Sequence, residues 1–204
     1  MHFVLDLDDT LLNSNVLWKE WSRLLLDAGY EEDRIAATIE SVIIDGFTPE
    51  KHALRLGADE KQARHLANHI RAFTEEFAPS FVFEDVVPFL EIHKQKNTLS
   101  LLTYGNAEYQ QEKLRAAKLH TFFEHVRIAG PHKLKVRHLE ELSRHSQETI
   151  VFVDDSPNQL RPVANAELPV RLYRIFRNNA KHTDSPHELD GIAWTCISSL
   201  SEIE

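Results

Sequence analysis

Two short apolar runs in this chain lead straight into clustered carboxylates. His2-Phe3-Val4-Leu5 is followed by Asp6-Leu7-Asp8-Asp9, and Thr149-Ile150-Val151-Phe152-Val153 by Asp154-Asp155. Continuous apolar runs of this length read as strands buried on both faces, the kind found in parallel sheets covered by helices. Leu99-Ser100-Leu101-Leu102-Thr103, His125 to Ala129, Val170 to Ile175 and Ala193 to Ile197 predict four further strands. Amphipathic segments near 84–96, 107–118, 135–145 and 157–166 lie between the later runs. In the first of them Val86, Phe89, Leu90 and His93 share a helical face. Strands alternating with helices predict a doubly wound α/β domain, a parallel sheet with helices on both faces. In such a sheet the carboxyl ends of the strands converge on the ligand crevice. Asp6, Thr103 and Asp154-Asp155 all stand at such ends.

Residues 15–80 interrupt the alternation. They carry helical patterns near 15–29, 31–44, 49–57 and 59–78, with no strand pattern. Gly29, Gly46 and Gly57 stand at or near helix ends, while Thr48-Pro49-Glu50 and Ala58-Asp59-Glu60 read as helix starts. The expected division is an α/β core of residues 1–14 and 81–204, with a small helical cap of residues 15–80 inserted after the first strand. Trp18, Trp21 and Leu25 fall at helical spacing and are expected to pack the cap, with Trp18 or Lys19 placed to overhang the crevice. Asn13-Ser14 marks the hinge into it.

The 23 Lys and Arg stand against 32 Asp and Glu, a formal net charge of −9 over 204 residues. That sign argues against nucleic acid or an anionic membrane surface as the main partner. Cys196 is the only cysteine, which excludes an internal disulfide framework and a cysteine-based zinc site. No apolar run approaches the roughly 20 residues of a membrane span. The first residues lack a secretion pattern, so a cytoplasmic protein is expected. Six glycines leave no Gly-rich phosphate loop of the Walker or dinucleotide type. Among twelve histidines, His65 and His69 share one helix face, yet Leu66-Ala67-Asn68 between them lacks the glutamate of a zinc-protease helix. A solvated face is the plainer expectation there.

Asp6 and Asp8 are two apart, so an extended segment turns both to one side while Asp9 diverges as the chain bends. Taken alone, Asp8, Asp9 and Thr10 would equally serve to cap the helix that follows. Three carboxylates in four positions at a buried strand end repel one another unless a cation neutralises them. Hard oxygen ligands suit Mg²⁺, held by one or two carboxylates together with a substrate phosphate. The second acidic strand end, with Thr103 at a third, favours the cation over the cap.

Leu5-Asp6-Leu7-Asp8-Asp9-Thr10-Leu11 resembles the Asp-x-Asp-x-Thr motif of the haloacid dehalogenase superfamily. Leu101-Leu102-Thr103-Tyr104-Gly105-Asn106 is similar to that family's second motif, and Val151-Phe152-Val153-Asp154-Asp155-Ser156 to its fourth. Gln111-x-Lys113-Leu114 through Leu119 to Phe122-Phe123 resembles the helix and turn between them. The likeness runs in order from residue 2 to about 166, with the insertion where the family carries a helical cap. It implies a Mg²⁺-dependent phosphomonoesterase of the capped branch, acting on a small phosphorylated metabolite. Asp6 would be the nucleophile, forming an aspartyl-phosphate, and Asp8 the general acid and base. The dehalogenase branch lacks an acid at the position of Asp8. Thr10 would fix the turn and hydrogen-bond near Asp8.

The same resemblance implies a metal held by Asp6, Asp8 (through its backbone carbonyl), Asp154 and Asp155. Asp155 would be the direct ligand of the last pair, with Asp154 acting through water or by positioning a basic residue. Thr103 and the backbone of Tyr104, Gly105 and Asn106 would bind the phosphoryl oxygens. The third motif's lysine is Lys135, in the first turn of a helix, or else Lys133; the family's usual Lys-Pro pair is absent. Gln159 stands where the family often has another acid, and Ser156-Pro157 reads as a helix start. A phosphomutase on the same fold, or an idle binding protein, is the alternative. The presence of both Asp6 and Asp8 speaks against the idle protein.

Overall fold

The computed structural model describes residues 1–130, 132–177 and 194–203. Its strands are β1 (His2–Leu5), β2 (Thr98–Tyr104), β3 (His125–Ala129), β4 (Ile150–Asp154), β5 (Val170–Ile175) and β6 (Thr195–Ile197). Ala193, the first residue of the sixth predicted strand, lies outside the described residues. Four helices, α1 (Ser14–Asp27), α2 (Glu32–Ile44), α3 (Pro49–Arg55) and α4 (Glu60–Phe77), separate β1 from the remainder. They are followed by α5 (Val86–Lys94), α6 (Ala107–Ala116), α7 (Lys135–His145) and α8 (Pro157–Asn165).

The six strands form one parallel sheet in the order β3-β2-β1-β4-β5-β6. The chain builds one wing outward from β1, returns, and builds the other. Such a reversal leaves a crevice at the carboxyl ends of the two central strands, β1 and β4. Their register pairs Leu5 with Val153, which sets Asp6, just past β1, level with Asp154 at the end of β4. The backbone N–H of Asp6 donates to the Val153 carbonyl at 3.0 Å.

Side chains alternate across the sheet as the two-residue period requires. Phe3, Leu5, Leu101, Val151 and Val153 pack with Val86, Phe89 and Leu90 of α5 on one face. Val4, Leu102, Phe152 and Leu172 pack with Leu139 of α7 and Leu160 and Val163 of α8 on the other. The doubly wound α/β arrangement follows from these two apolar layers.

Helices α1 to α4 hold an apolar cluster of their own, with Trp21, Leu25, Ile35, Leu56, Leu66 and Ile70 buried in it. Thr48 and Asp59 cap α3 and α4, their side chains accepting from the backbone N–H groups of Lys51 and Gln62. His52 is buried at the centre of this cluster. Trp21 Nε1 donates to His52 Nδ1 at 3.0 Å, and Thr38 Oγ1 lies 2.9 Å from Nε2. An indole nitrogen only donates, so Nδ1 is the acceptor and the proton sits on Nε2. Burial lowers the His52 pKa to about 4, which keeps the ring neutral.

Three contacts are among those that join this bundle to the rest of the fold. Arg71 of α4 pairs with Glu50 of α3 and, at 2.9 Å, with Glu112 of α6. The Phe47 and Tyr109 rings meet at 5.7 Å. A Cβ at Gly46 would lie 3.6 Å from the Asn106 backbone, so the loop before α3 rests against the loop after β2. Among the described residues no helix is long and apolar enough to cross a membrane.

Candidate active site

Asp6, Asp154 and Asp155 meet at the crevice because β1 and β4 are neighbours and end level. One carboxylate oxygen of each lies within 4.8 Å of the others, and all three residues are buried. Lys135 reaches them from the first turn of α7, where Leu139 one turn on anchors the same face in the core. Its ammonium donates to Asp6 at 2.5 Å and to Asp154 at 2.7 Å, and is itself only 2% exposed. Lys133, the other candidate, stays half-exposed and pairs with Glu141 at 2.8 Å. Lys133 is bridged to Gly130 ahead of the helix, whereas Lys135 is its first residue.

This packing perturbs the charges. Burial, with repulsion from Asp154 and Asp8, pushes the Asp6 carboxyl up to about 7 against the pull of Lys135. Burial, then Asp154, Asp6 and Asp9, raises Asp155 as well. Burial would lower Lys135, but Asp154 and Asp6 outweigh it and raise its pKa. Ionised together, the three carboxylates would outnumber the one ammonium that pairs with them among the described residues. Their oxygens form a hard donor set free of imidazole and thiolate, suited to a divalent cation.

The raised Asp6 value has a measurable sign. Unfolded, the carboxyl titrates near 3.8; folded, it titrates near 7, so the folded chain holds a proton in between that the unfolded chain has lost. Its ionisation therefore costs stability as pH rises through that window. With divalent ions chelated, D6N is expected to gain on the wild type by about 2–3 kcal/mol between pH 5 and pH 8. Paired thermal melts in EDTA measure this, the difference cancelling the histidines common to both. A constant gap would mean that Lys135 keeps Asp6 ionised throughout.

Asp8 goes elsewhere. Its carboxylate accepts from Lys113 Nζ and Ser14 Oγ on one oxygen and from Gln110 Nε2, at 2.9 Å, on the other. Burial works to raise its pKa, but Lys113, Ser14 and Gln110 outweigh this and hold it below the ordinary carboxylate value. Asp8 is thus absent from the carboxylate group formed by Asp6, Asp154 and Asp155. The helix-capping role belongs to Asp9, which stands at φ 57° and accepts the backbone N–H of Ser14 at 3.0 Å. Thr10 does not bond toward Asp8. Its Oγ accepts the Asp155 N–H at 3.1 Å, stitching the turn after β1 to the end of β4.

Along β2, the Thr103 hydroxyl is buried without a hydrogen-bond partner. Tyr104 is half-buried, its carbonyl accepting from Gln110 at 2.7 Å. Gly105 sits at φ 145°, and a Cβ there would lie 2.8 Å from Gln110 Nε2, so its hydrogen makes room for that amide. Asn106 caps α6, accepting from the Tyr109 N–H at 3.0 Å. Ser156 makes no side-chain cap on α8; its N–H instead donates to Asp154 at 2.9 Å. Gln159 lies one turn into α8, half-buried.

Of the two residues expected to overhang the crevice, Trp18 packs on His52 and Phe47, and Lys19 is exposed. His65 and His69 stand exposed with rings 4.5 Å apart. A surface cavity of about 590 Å³ opens between α4 and α6, lined by Arg71, Thr74, Glu112 and Arg115 among others. None of the three clustered carboxylates borders it, so charge rather than cavity size locates the site.

Sequence reasoning missed Lys113, Gln110, Ser14 and Arg177 as site residues. Arg177, just past β5, donates Nε and Nη2 to the Thr10 carbonyl at 3.0 and 2.9 Å, and Nη1 to Asp85 at 2.9 Å. Since β5 ends at the same crevice edge, the first basic residue beyond it was a usable signal.

The description of haloacid dehalogenase-like hydrolases matches residues 1–167. The chain belongs to this family, and is a hydrolase by that membership. Its fold is similar to that of a haloacid dehalogenase-like hydrolase from Burkholderia xenovorans, with TM-score 0.76, 17% identity and 100% of both chains covered. A candidate β-phosphoglucomutase from Thermotoga maritima gives TM-score 0.64 at 18% identity, covering 98% of this chain and 94% of that one. The candidate hydrolase YfnB of Bacillus subtilis, whose crystal structure is magnesium-bound, gives 0.60 at 15% identity, covering 98% and 95%. No curated protein sequence matches the chain. At these identities the likeness is one of fold.

Proposed function

We propose that this protein is a Mg²⁺-dependent phosphomonoester hydrolase that acts on a small phosphorylated metabolite through an aspartyl-phosphate on Asp6. The observation that carries the reading is the group of Asp6, Asp154 and Asp155 threaded by the buried Lys135 ammonium. Asp6, Asp154 and Asp155 would hold Mg²⁺, which supplies charge neutralisation so that a phosphate dianion can approach a carboxylate. The magnesium-bound Bacillus relative supports that choice of ion. Asp6 attacks phosphorus and the bond to the leaving oxygen breaks, with Asp8 donating the proton to that oxygen. Water then attacks the aspartyl-phosphate, Asp8 takes its proton, and Asp6 is regenerated. The unpartnered Thr103 hydroxyl, on the strand beside β1, is a donor for a phosphoryl oxygen.

Purified protein is expected to hydrolyse p-nitrophenyl phosphate with Mg²⁺ and to stop in EDTA. D155N is expected to raise the Mg²⁺ needed for half-maximal rate at least about 10-fold. A wild type inert toward a broad panel of phosphorylated metabolites with Mg²⁺ would replace this reading by the binding-protein one. Isomerisation of a sugar phosphate without phosphate release would replace it by the mutase.

A further inference from the structure

The Asp8 carboxylate is held more completely than a free acid–base group requires. Lys113 and Ser14 donate to one oxygen and Gln110 to the other, so neither oxygen can turn without breaking a bond. The donors are themselves fixed. Lys113 is buried on α6, its ammonium 5.3 Å from the Tyr109 ring centre. Gln110, one turn earlier on the same helix, divides its amide hydrogens between Asp8 and the Tyr104 carbonyl. Ser14 opens α1, and its N–H is tied to Asp9. All three donors lie on α6 and α1, whereas Lys135 on α7 serves Asp6 and Asp154. Two lysines thus divide the acids of the crevice, Lys135 holding Asp6 and Asp154 and Lys113 holding Asp8.

We propose that Lys113, with Gln110 and Ser14, is a positioning set that fixes the Asp8 carboxylate apart from the cation-binding acids and toward the leaving group. The proposal rests on the hydrolase reading above. In-line attack by Asp6 puts the leaving oxygen on the far side of phosphorus, so the group that protonates it must stand clear of Asp6, Asp154 and Asp155. Lys113 draws Asp8 to α6 and away from that group. Asp8 takes up a proton from solvent as the phosphate approaches; when the phosphorus–oxygen bond breaks that proton passes to the leaving oxygen, and Lys113 itself exchanges none.

The test compares kcat/KM for an alkyl ester, 2-glycerophosphate, with that for p-nitrophenyl phosphate, whose phenolate leaves without needing a proton. Wild type, K113M, D8A and the double variant are measured with saturating Mg²⁺. K113M is expected to lose about 100-fold on the alkyl ester, at least ten times its loss on the aryl ester. In the D8A background the same substitution should add less than about 2-fold on either ester, because Lys113 acts through Asp8. Equal losses on both esters, or a full further loss in D8A, overturn the proposal and leave the hydrolase reading standing. A wild type inert on both esters overturns the two together. If K113M does not fold, S14A carries the test, since it removes a donor without leaving a charge unpaired. Its selective loss on the alkyl ester should be about 3- to 10-fold and vanish in D8A, and an unselective effect or none overturns the proposal.

Discussion

Replacing Asp6 by asparagine is expected to lower turnover at least about 10⁴-fold while the fold is retained. As the proposed nucleophile, Asp6 supplies the electron pair that forms the bond to phosphorus, and a neutral amide has no comparable pair to give. Asparagine matches the carboxylate in size, so the packing against Lys135 and the N–H bond to Val153 survive. The variant should also be the more stable protein in EDTA at neutral pH, since it lifts one charge from a buried acidic group. Turnover of p-nitrophenyl phosphate with Mg²⁺ and a thermal melt in EDTA measure the two together. A large loss of activity with a gain in stability is the signature of a strained functional group. A loss of both would assign Asp6 to the scaffold instead.

The sheet was legible because its strands are apolar throughout, and buried parallel strands have no alternative pattern to offer. Asp6, Asp154 and Asp155 were legible for a related reason. Asp6 and the Asp154-Asp155 pair are the first charged positions met after such apolar runs, and the fold brings those ends to one edge. β3 was fainter: His125, Val126 and Arg127 are exposed, as an edge strand with one neighbour permits. The two lysines near residue 134 were indistinguishable by distance along the chain. What separates them is helical phase, since Lys135 is one turn from the buried Leu139 and Lys133 precedes the helix. Lys113 was not legible as a site residue, and Arg177 only by its place as the first basic residue past β5. Their partners lie 105 and 167 positions away, at Asp8 and Thr10, and no local pattern encodes such a pairing. On α6 a lysine beside Leu114 reads as the ordinary boundary of an amphipathic helix, its stem in apolar surroundings and its head in water.

Lys135→Met is expected to have the second largest effect, on stability as well as rate. Methionine fills the space of the lysine stem but removes the charge that Asp6 and Asp154 both face. Breaking a buried ion pair by deleting one partner costs about 3–5 kcal/mol, because the charge left behind has neither water nor a counter-ion. For a chain of this length that is roughly 10 °C in melting temperature with divalent ions chelated. Mg²⁺ should recover part of the loss, since a cation among the same carboxylates restores the missing positive charge. Turnover should stay about 10²- to 10³-fold low even at saturating Mg²⁺, for the ammonium would also stabilise charge on the transferring phosphoryl group. Lys135→Arg should not substitute, because a planar fork needs more room than a site 2% exposed and shared by two acids provides. Adding D154N to K135M separates the causes. It removes one of the stranded charges and should return stability without returning turnover, whereas a lysine that served packing alone would leave the double variant as unstable as the single one.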